Sequence, residues 1–352
     1  MRAVKRSRTT QMPVVVGVGV IAMLALQACT SASDTPSASG GSAGAKKQLT
    51  IGLAIKTQIQ RRWTLDVQAM QAECKAKNVK CIVQYANDDP AKQASQVENL
   101  LSQNIDALIL VPVNGEAGKA LLAKAHAQKV PVVDYDEFIP GSDFFVTRDN
   151  AAVGTAQAEG ALAFAPSGKW ALIKGDAGNP VAQEINAAYT KALANKSINI
   201  VYNQFTKNWD PASALSAAEN VLSANSDEIK AFLTSNDGMA SGVVQALKGR
   251  NLNGKVYVSG LDADPTNLKS IAAGDQTMTV WTKLDVWGKE AVDAAIQLVN
   301  KQIPKADTTT SGVPTRLIPI QIVNKDNLCK FLTTDVPKGW ATVSEVYGKA
   351  TC

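Results

Sequence analysis

From Leu49 to Asp262 the chain alternates short apolar runs with longer stretches in which apolar residues recur every three or four positions. LTIGLAI, KCIVQYAN, DALILVPV, VPVVDYD and FFVTRD are the first apolar runs, and amphipathic stretches at Arg62 to Lys77, Pro90 to Gln103 and Gly118 to Gln128 separate the first four. Near-continuous hydrophobicity predicts strands covered on both faces, as in a parallel sheet layered between helices. Asp89-Pro90 fits a helix start, an N-cap side chain followed by Pro at the first helical position, which assigns Asp88 and Asp89 to turn formation and capping. The pattern restarts after Asn150, where KWALIKG, INIVYNQF, AFLTSND and KVYVSGLD alternate with 151–164, 181–195, 211–223 and 238–248. About 300 residues exceed what one core usually serves, so two similar α/β lobes are expected.

The predicted strands end in polar residues: Asp136 closes VPVVDYD, Asn236-Asp237 close AFLTSND, and Asp262 closes KVYVSGLD. In open α/β sheets ligands bind beyond the carboxyl ends of the strands, so these groups are expected to converge on one cleft. Asn236-Asp237 also precede the helix near Gly238, with Asp237 the expected cap.

The amino terminus follows another pattern. Arg2 to Arg8 are basic, PVVVGVGVIAMLAL is apolar, and Leu26-Gln27-Ala28-Cys29 follows. This is the order of a secretory signal, and the 13 residues from Val14 to Leu26 fall short of the roughly 20 needed to span a bilayer. Leu at −3, Ala at −1 and Cys at +1 resemble the bacterial lipoprotein box, so residues 1–28 are read as a signal and Cys29 as the acylated residue. TSASDTPSASGGSAGAKK then forms a tether at 29–47.

Charge looks different once this segment is set aside. Of the 36 Lys+Arg, four lie in residues 1–28, which hold no acid, leaving 32 basic against 31 acidic side chains. A near-neutral body argues against a nucleic-acid partner. The single histidine, His126, excludes multi-His metal sites and any Ser-His-Asp triad not built on it, and its Ala/Lys-rich helical surroundings make it a solvated helix residue. No GxGxxG, P-loop or GxSxG motif occurs, and the carboxylates are read as binding groups rather than a glycosidase pair; no enzyme activity is expected. Beyond Cys29 the four cysteines are read as two structural bridges, Cys74 with Cys81, stapling a helix to its strand, and Cys329 with Cys352, pinning the terminus.

Several segments carry a resemblance: Arg62-Trp63, QASQVENLL, Tyr135-Asp136, RDNAAVG from Arg148, NWDPASAL from Asn208, TSNDGMASGVVQAL from Thr234, SGLDAD from Ser259, IAAGDQTMTV and PKADTT. From about Leu49 to Val323 the chain resembles the periplasmic xylose-binding protein family, substrate-binding subunits of bacterial pentose and hexose ABC importers. The resemblance implies an α/β fold of two Rossmann-like, doubly wound parallel-sheet lobes joined by three hinge strands. One lobe would comprise 48–147 plus 283–309 and the other 148–282 plus 310–352. Hinges would lie near Thr147 to Asn150, Asp262 to Asp264 and Val280 to Lys283.

The implied ligand is a small polyhydroxylated solute, whose hydroxyls suit carboxylates and amides and whose C–H faces suit aromatic rings. By similarity Trp63 and Trp209 stack on it, one from each lobe, Asp136, Asn236 and Asp262 hydrogen-bond its hydroxyls, and Arg62 adds a donor. Three positions depart from the family: Glu137 replaces the usual Arg, Leu261 a Gln, and Thr282 a Lys. Arg148 is expected to pair with Glu137. These departures leave open a pentose, a hexose, a polyol or an amino-bearing compound. The implied partners are an ABC permease with its ATPase, or alternatively a membrane receptor that senses the closed form; the protein is expected to be a monomer, without cofactor or metal.

Overall fold

The computed structural model describes residues 48–352; the signal, Cys29 and the tether lie outside the described residues. In chain order the first elements are β1 (Thr50–Ile55), α1 (Arg61–Ala76), β2 (Lys80–Tyr85), α2 (Pro90–Ser102), β3 (Ala107–Leu110), α3 (Gly115–Ala127), β4 (Val132–Tyr135) and β5 (Phe144–Arg148). Asp89 caps α2 as expected, accepting from Ala91 N at 2.9 Å and Lys92 N at 3.0 Å. Then follow α4 (Asn150–Phe164), β6 (Gly168–Lys174), α5 (Pro180–Leu193), β7 (Ile198–Phe205), α6 (Pro211–Ala224), β8 (Ile229–Thr234), α7 (Asp237–Lys248) and β9 (Tyr257–Val258). The chain continues through α8 (Pro265–Ala273), β10 (Met278–Thr282), α9 (Leu284–Val299), β11 (Thr308–Thr310), β12 (Val313–Ile318) and β13 (Ile320–Asn324).

These strands form two mostly parallel sheets and a ribbon. The first runs β11-β12-β5-β4-β3-β1-β2, with only β11 antiparallel; the second, β7-β6-β8-β9, is wholly parallel; β10 and β13 pair antiparallel. In each sheet the first strand of its half, β1 or β6, sits inside the second, so the winding reverses beside it. That reversal opens a crevice at the carboxyl ends of the strands, where Asp136 and Asn236 stand.

The cores mark where the chain passes between lobes. Leu261 packs with the second lobe's Leu233 and Ile185, whereas Ala263 joins the first lobe's core with Ile51 and Val146. Asp262 is therefore a point of passage. In β10 Val280 belongs to the second core and Trp281 to the first.

The carboxyl-terminal segment departs from the expected partition. Residues 313–318, expected in the second lobe, form β12, parallel to β5 in the first sheet. Phe331, Leu332, Trp340 and Val346 also pack with the first lobe's core, and Trp340 Nε1 donates to Ala263 O at 2.7 Å. A strand's apolar period fixes its faces but not which sheet edge it joins, and the open edge at β5 supplied the partner.

Both expected bridges are present. Cys74–Cys81 ties α1 to β2 and Cys329–Cys352 ties down the last residue, with Cα separations of 6.2 and 5.8 Å. His126, in the last turn of α3, meets Asp143 Oδ2 at 2.8 Å on the surface and stays away from the crevice.

Candidate binding site between the lobes

Strand ends supply the charged floor. Asp136 directly follows β4 with φ +68° and its N–H donates to Val146 O at 3.0 Å, turning the carboxylate toward the crevice. Such a backbone is unfavourable for a residue with a side chain and recurs at functional sites. Its two oxygens are shared between two arginines: Arg62 Nη1 donates to Oδ2 at 3.0 Å, and Arg148 Nη1 to Oδ1 at 2.9 Å. Burial alone would raise the Asp136 carboxyl, but Arg62, Arg148 and Lys56 hold it below the usual range.

Arg62, in the first turn of α1, is pinned again by Asp66 Oδ2, which accepts from Nε at 3.2 Å. Tyr135 donates to the other Asp66 oxygen at 2.7 Å. Burial pushes the Asp66 carboxyl up to about 6 despite Arg62 and that hydroxyl. The guanidinium of Arg62 lies 4.2 Å from the Trp63 ring centroid and 4.8 Å from that of Trp287; Arg148 lies 5.3 Å from Trp287. Flat cations stacked on indoles lose little side-chain entropy when they bind.

A cavity opens above this floor. Arg62, Trp63, Asp136, Glu137, Arg148, Trp209, Asn236 and Asp262 line it with Lys56, Gln60, Asn179, Val181 and Leu261. Its empty space is about 410 Å³, counting the part open to solvent. Eight of the nine residues expected at the ligand thus meet. The ninth, Thr282, is 5% exposed at the end of β10, pairs with Ile320, and is not among the lining residues. Its position in the β10–β13 ribbon buries it within that pairing instead.

The second lobe contributes through loops. Asn208 and Trp209 have φ +54° and +56°, and Asn208 N donates to Asp176 Oδ2 at 2.7 Å. This bend lays the Trp209 indole against Gly175, where a Cβ would stand 2.4 Å from the ring. Only glycine allows so close an approach. Asn236 caps α7, accepting from Met239 N at 3.0 Å, so the amide nitrogen is left for the cavity. Asp237, expected as the cap, is instead buried, accepting from Gln276 Nε2 at 3.0 Å and Asp264 N at 2.8 Å. Its backbone N–H donates to Leu261 O, which draws the side chain inward.

Glu137 corrects another expectation. It does not pair with Arg148, whose guanidinium is taken by Asp136. Glu137 Oε1 accepts from the Lys56 ammonium and, at 2.8 Å, from Asn179 Nδ2 of the second lobe. Burial raises its carboxyl against the pull of Lys56. Lys56, Gln60, Asn179 and Val181 escaped the sequence reading. Lys56 follows the end of β1, so the strand-end rule that found Asp136 points to it as well. Among the described residues no group of His, Cys, Asp or Glu side chains is arranged to hold a metal ion.

Comparison with known proteins agrees with this architecture. A family model described as a periplasmic binding protein domain matches residues 51–303. The D-xylose-binding periplasmic protein of Escherichia coli is 36% identical over 80% of this chain and 88% of its own length. That of Haemophilus influenzae is 33% identical over 86% of this chain and 93% of its own. A carbohydrate transporter solute binding protein from Chloroflexus aurantiacus, solved in complex with D-glucose, superposes with a TM-score of 0.76 at 26% identity, covering 85% of this chain and 98% of that one. The chain therefore belongs to the periplasmic binding protein family, on the branch of the D-xylose-binding periplasmic proteins, and is a binding protein rather than an enzyme.

Proposed function

We propose that the protein is the extracytoplasmic substrate-binding lipoprotein of a sugar-type ABC importer, taking a monosaccharide or polyol into the cavity between its lobes. The observation that carries this reading is the joint lining of one cavity by Trp63 and Trp209, one from each lobe, with Asp136, Asn236, Asp262 and two buried arginines. Aromatic rings suit the C–H faces of a sugar, and ionised groups bond its hydroxyls more strongly than neutral ones do. Relatives whose names carry D-xylose support the class. The cationic and anionic lining groups balance, three against three, which favours a neutral solute over an amino-bearing one.

Closure bends the chain where it passes between the cores, at Arg148–Asn150, at Asp262 and along the β10–β13 ribbon. A ligand held by both lobes binds the closed form better than the open one and draws the equilibrium toward it. The closed monomer then docks on a permease that works with an ATPase. Residues 1–28 direct export, and acyl chains on Cys29, at about 0.8 kcal/mol per buried CH₂, hold the protein at the outer face of the membrane.

Titration calorimetry or tryptophan fluorescence against D-xylose, D-ribose, D-glucose, xylitol and myo-inositol tests the reading. Micromolar binding of at least one is expected; none tighter than millimolar would remove the sugar class. Metabolic labelling with palmitate should mark the wild type and leave Cys29→Ala unlabelled.

A further inference from the structure

Lys56 is the first residue beyond β1 and lines the cavity beside Arg62 and Trp63. Its side chain is 13% exposed, and the ammonium stands 5.0 Å from the Trp63 ring centroid. Among the described residues the ammonium has one hydrogen-bond partner, Glu137 Oε1. An ammonium carries three N–H donors and no acceptor, so two donors remain at the cavity wall. Glu137 is 2% exposed, and the same oxygen is bound from the second lobe by Asn179, itself fixed as the N-cap of α5 through Val181 N at 2.9 Å.

We propose that Lys56 is a further ligand-contacting residue that sets specificity, donating to an oxygen of a neutral polyhydroxylated ligand, and that Glu137 is its positioning residue. This deepens the reading above and rests on it. The resemblance implies Arg at position 137; here the cation comes instead from the end of β1, on the far side of β3 from β4, and the carboxylate at 137 holds it in place. An ammonium is a compact point charge that reaches one oxygen, where a guanidinium fork reaches two. A ligand without an oxygen at that point leaves buried donors unmet, and unmet buried groups are what give a site strong discrimination. Asn179 completes the arrangement only when the lobes are together, so the orientation of Lys56 is tied to the closed form.

The test is calorimetry with D-xylose, D-ribose, D-glucose, xylitol and myo-inositol on the wild type and five variants, with melting followed in parallel. Lys56→Met/Glu137→Gln leaves no orphan charge, and its Kd for whichever compound the wild type binds should rise tenfold or more while it still melts cooperatively. Glu137→Gln should change the ratios of Kd across the panel, which a purely structural carboxylate would not do. Lys56→Glu/Glu137→Arg exchanges the charges and should move the preferred compound, whereas Glu137→Arg alone opposes two cations and should weaken every compound. Lys56→Arg keeps both the ion pair and the fold and should shift the ratios; unshifted ratios there overturn the proposal even if the other variants do not fold. Unchanged Kd values in folded variants overturn it and leave the binding reading standing. A wild type that binds no member of the panel overturns both.

Discussion

Arg62 Nη1 stands 3.8 Å from Asp262 Oδ1, near enough to attract it but too far to hydrogen-bond it. Arg62 is committed to Asp136 and Asp66, and no hydrogen bond to the Asp262 carboxylate exists among the described residues. The backbone holds Asp262 at φ +103°, with its N–H on Val280 O at 2.8 Å, at the passage between the two cores. Burial raises its carboxyl, with Arg62 and Arg148 pulling the other way. The site thus keeps one carboxylate oriented and unspent, which is what a hydroxyl-bearing ligand requires.

Asp262→Asn should accordingly weaken binding of the preferred solute by about 1.5–3 kcal/mol, the worth of a charge-assisted hydrogen bond. Thermal stability should hold or rise, because a carboxylate without a hydrogen bond has been replaced. Calorimetry and a melting curve on one sample separate the two effects; unchanged affinity would take Asp262 out of the site.

Asp136→Asn is expected to behave in the opposite way. It leaves Arg62 and Arg148 without the anion they share, and breaking a buried pair by removing one partner costs about 3–5 kcal/mol. Because Asp136 titrates lower in the folded protein, its contribution is present above the ordinary aspartate pKa and is lost as pH falls through its folded value. The gap in denaturation midpoint between wild type and variant should therefore be widest near neutrality and narrow in strong acid.

Asp264 carries the reverse dependence. Burial, and then the nearby Asp262 charge, push its carboxyl up to about 7, and Oδ1 has no hydrogen-bond partner. The folded form favours the protonated acid, so the stability it lends is full below the unfolded aspartate pKa and is lost as pH rises through about 7. Melting scans from pH 5 to pH 8 should show a decline in the wild type that Asp264→Asn makes shallower. Parallel slopes would dismiss Asp264 as the source.

Gly175→Ala tests how Trp209 is placed. A methyl group there would meet the indole at 2.4 Å and push the ring off its seat. Trp209 is only partly buried, so the ring can move outward at little cost to stability. Affinity should fall about tenfold, the worth of roughly 1.4 kcal/mol, with the melting temperature nearly unchanged. An undisturbed Kd would mean that Trp209 does not stack on the ligand.

The amino-acid sequence by itself determined what depends on period and on nearest neighbours. Runs such as DALILVPV could only be strands buried on both faces, Asp89-Pro90 could start a helix, and Cys74 and Cys81 were close enough in the chain to bridge. That Asp136, Asn236 and Asp262 converge on one cavity was legible because a parallel strand must end where its crevice begins. Tertiary structure decided the pairings between distant residues. Lys56 and Glu137 lie 81 positions apart and meet because β1 and β4 end on the same side of one sheet, an order that no local pattern encodes. The same holds for Arg148, which meets Asp136 rather than Glu137, and for β12, which joined the open edge of the first sheet. Side-chain period sets which way a residue faces, but the order and register of strands set what it faces.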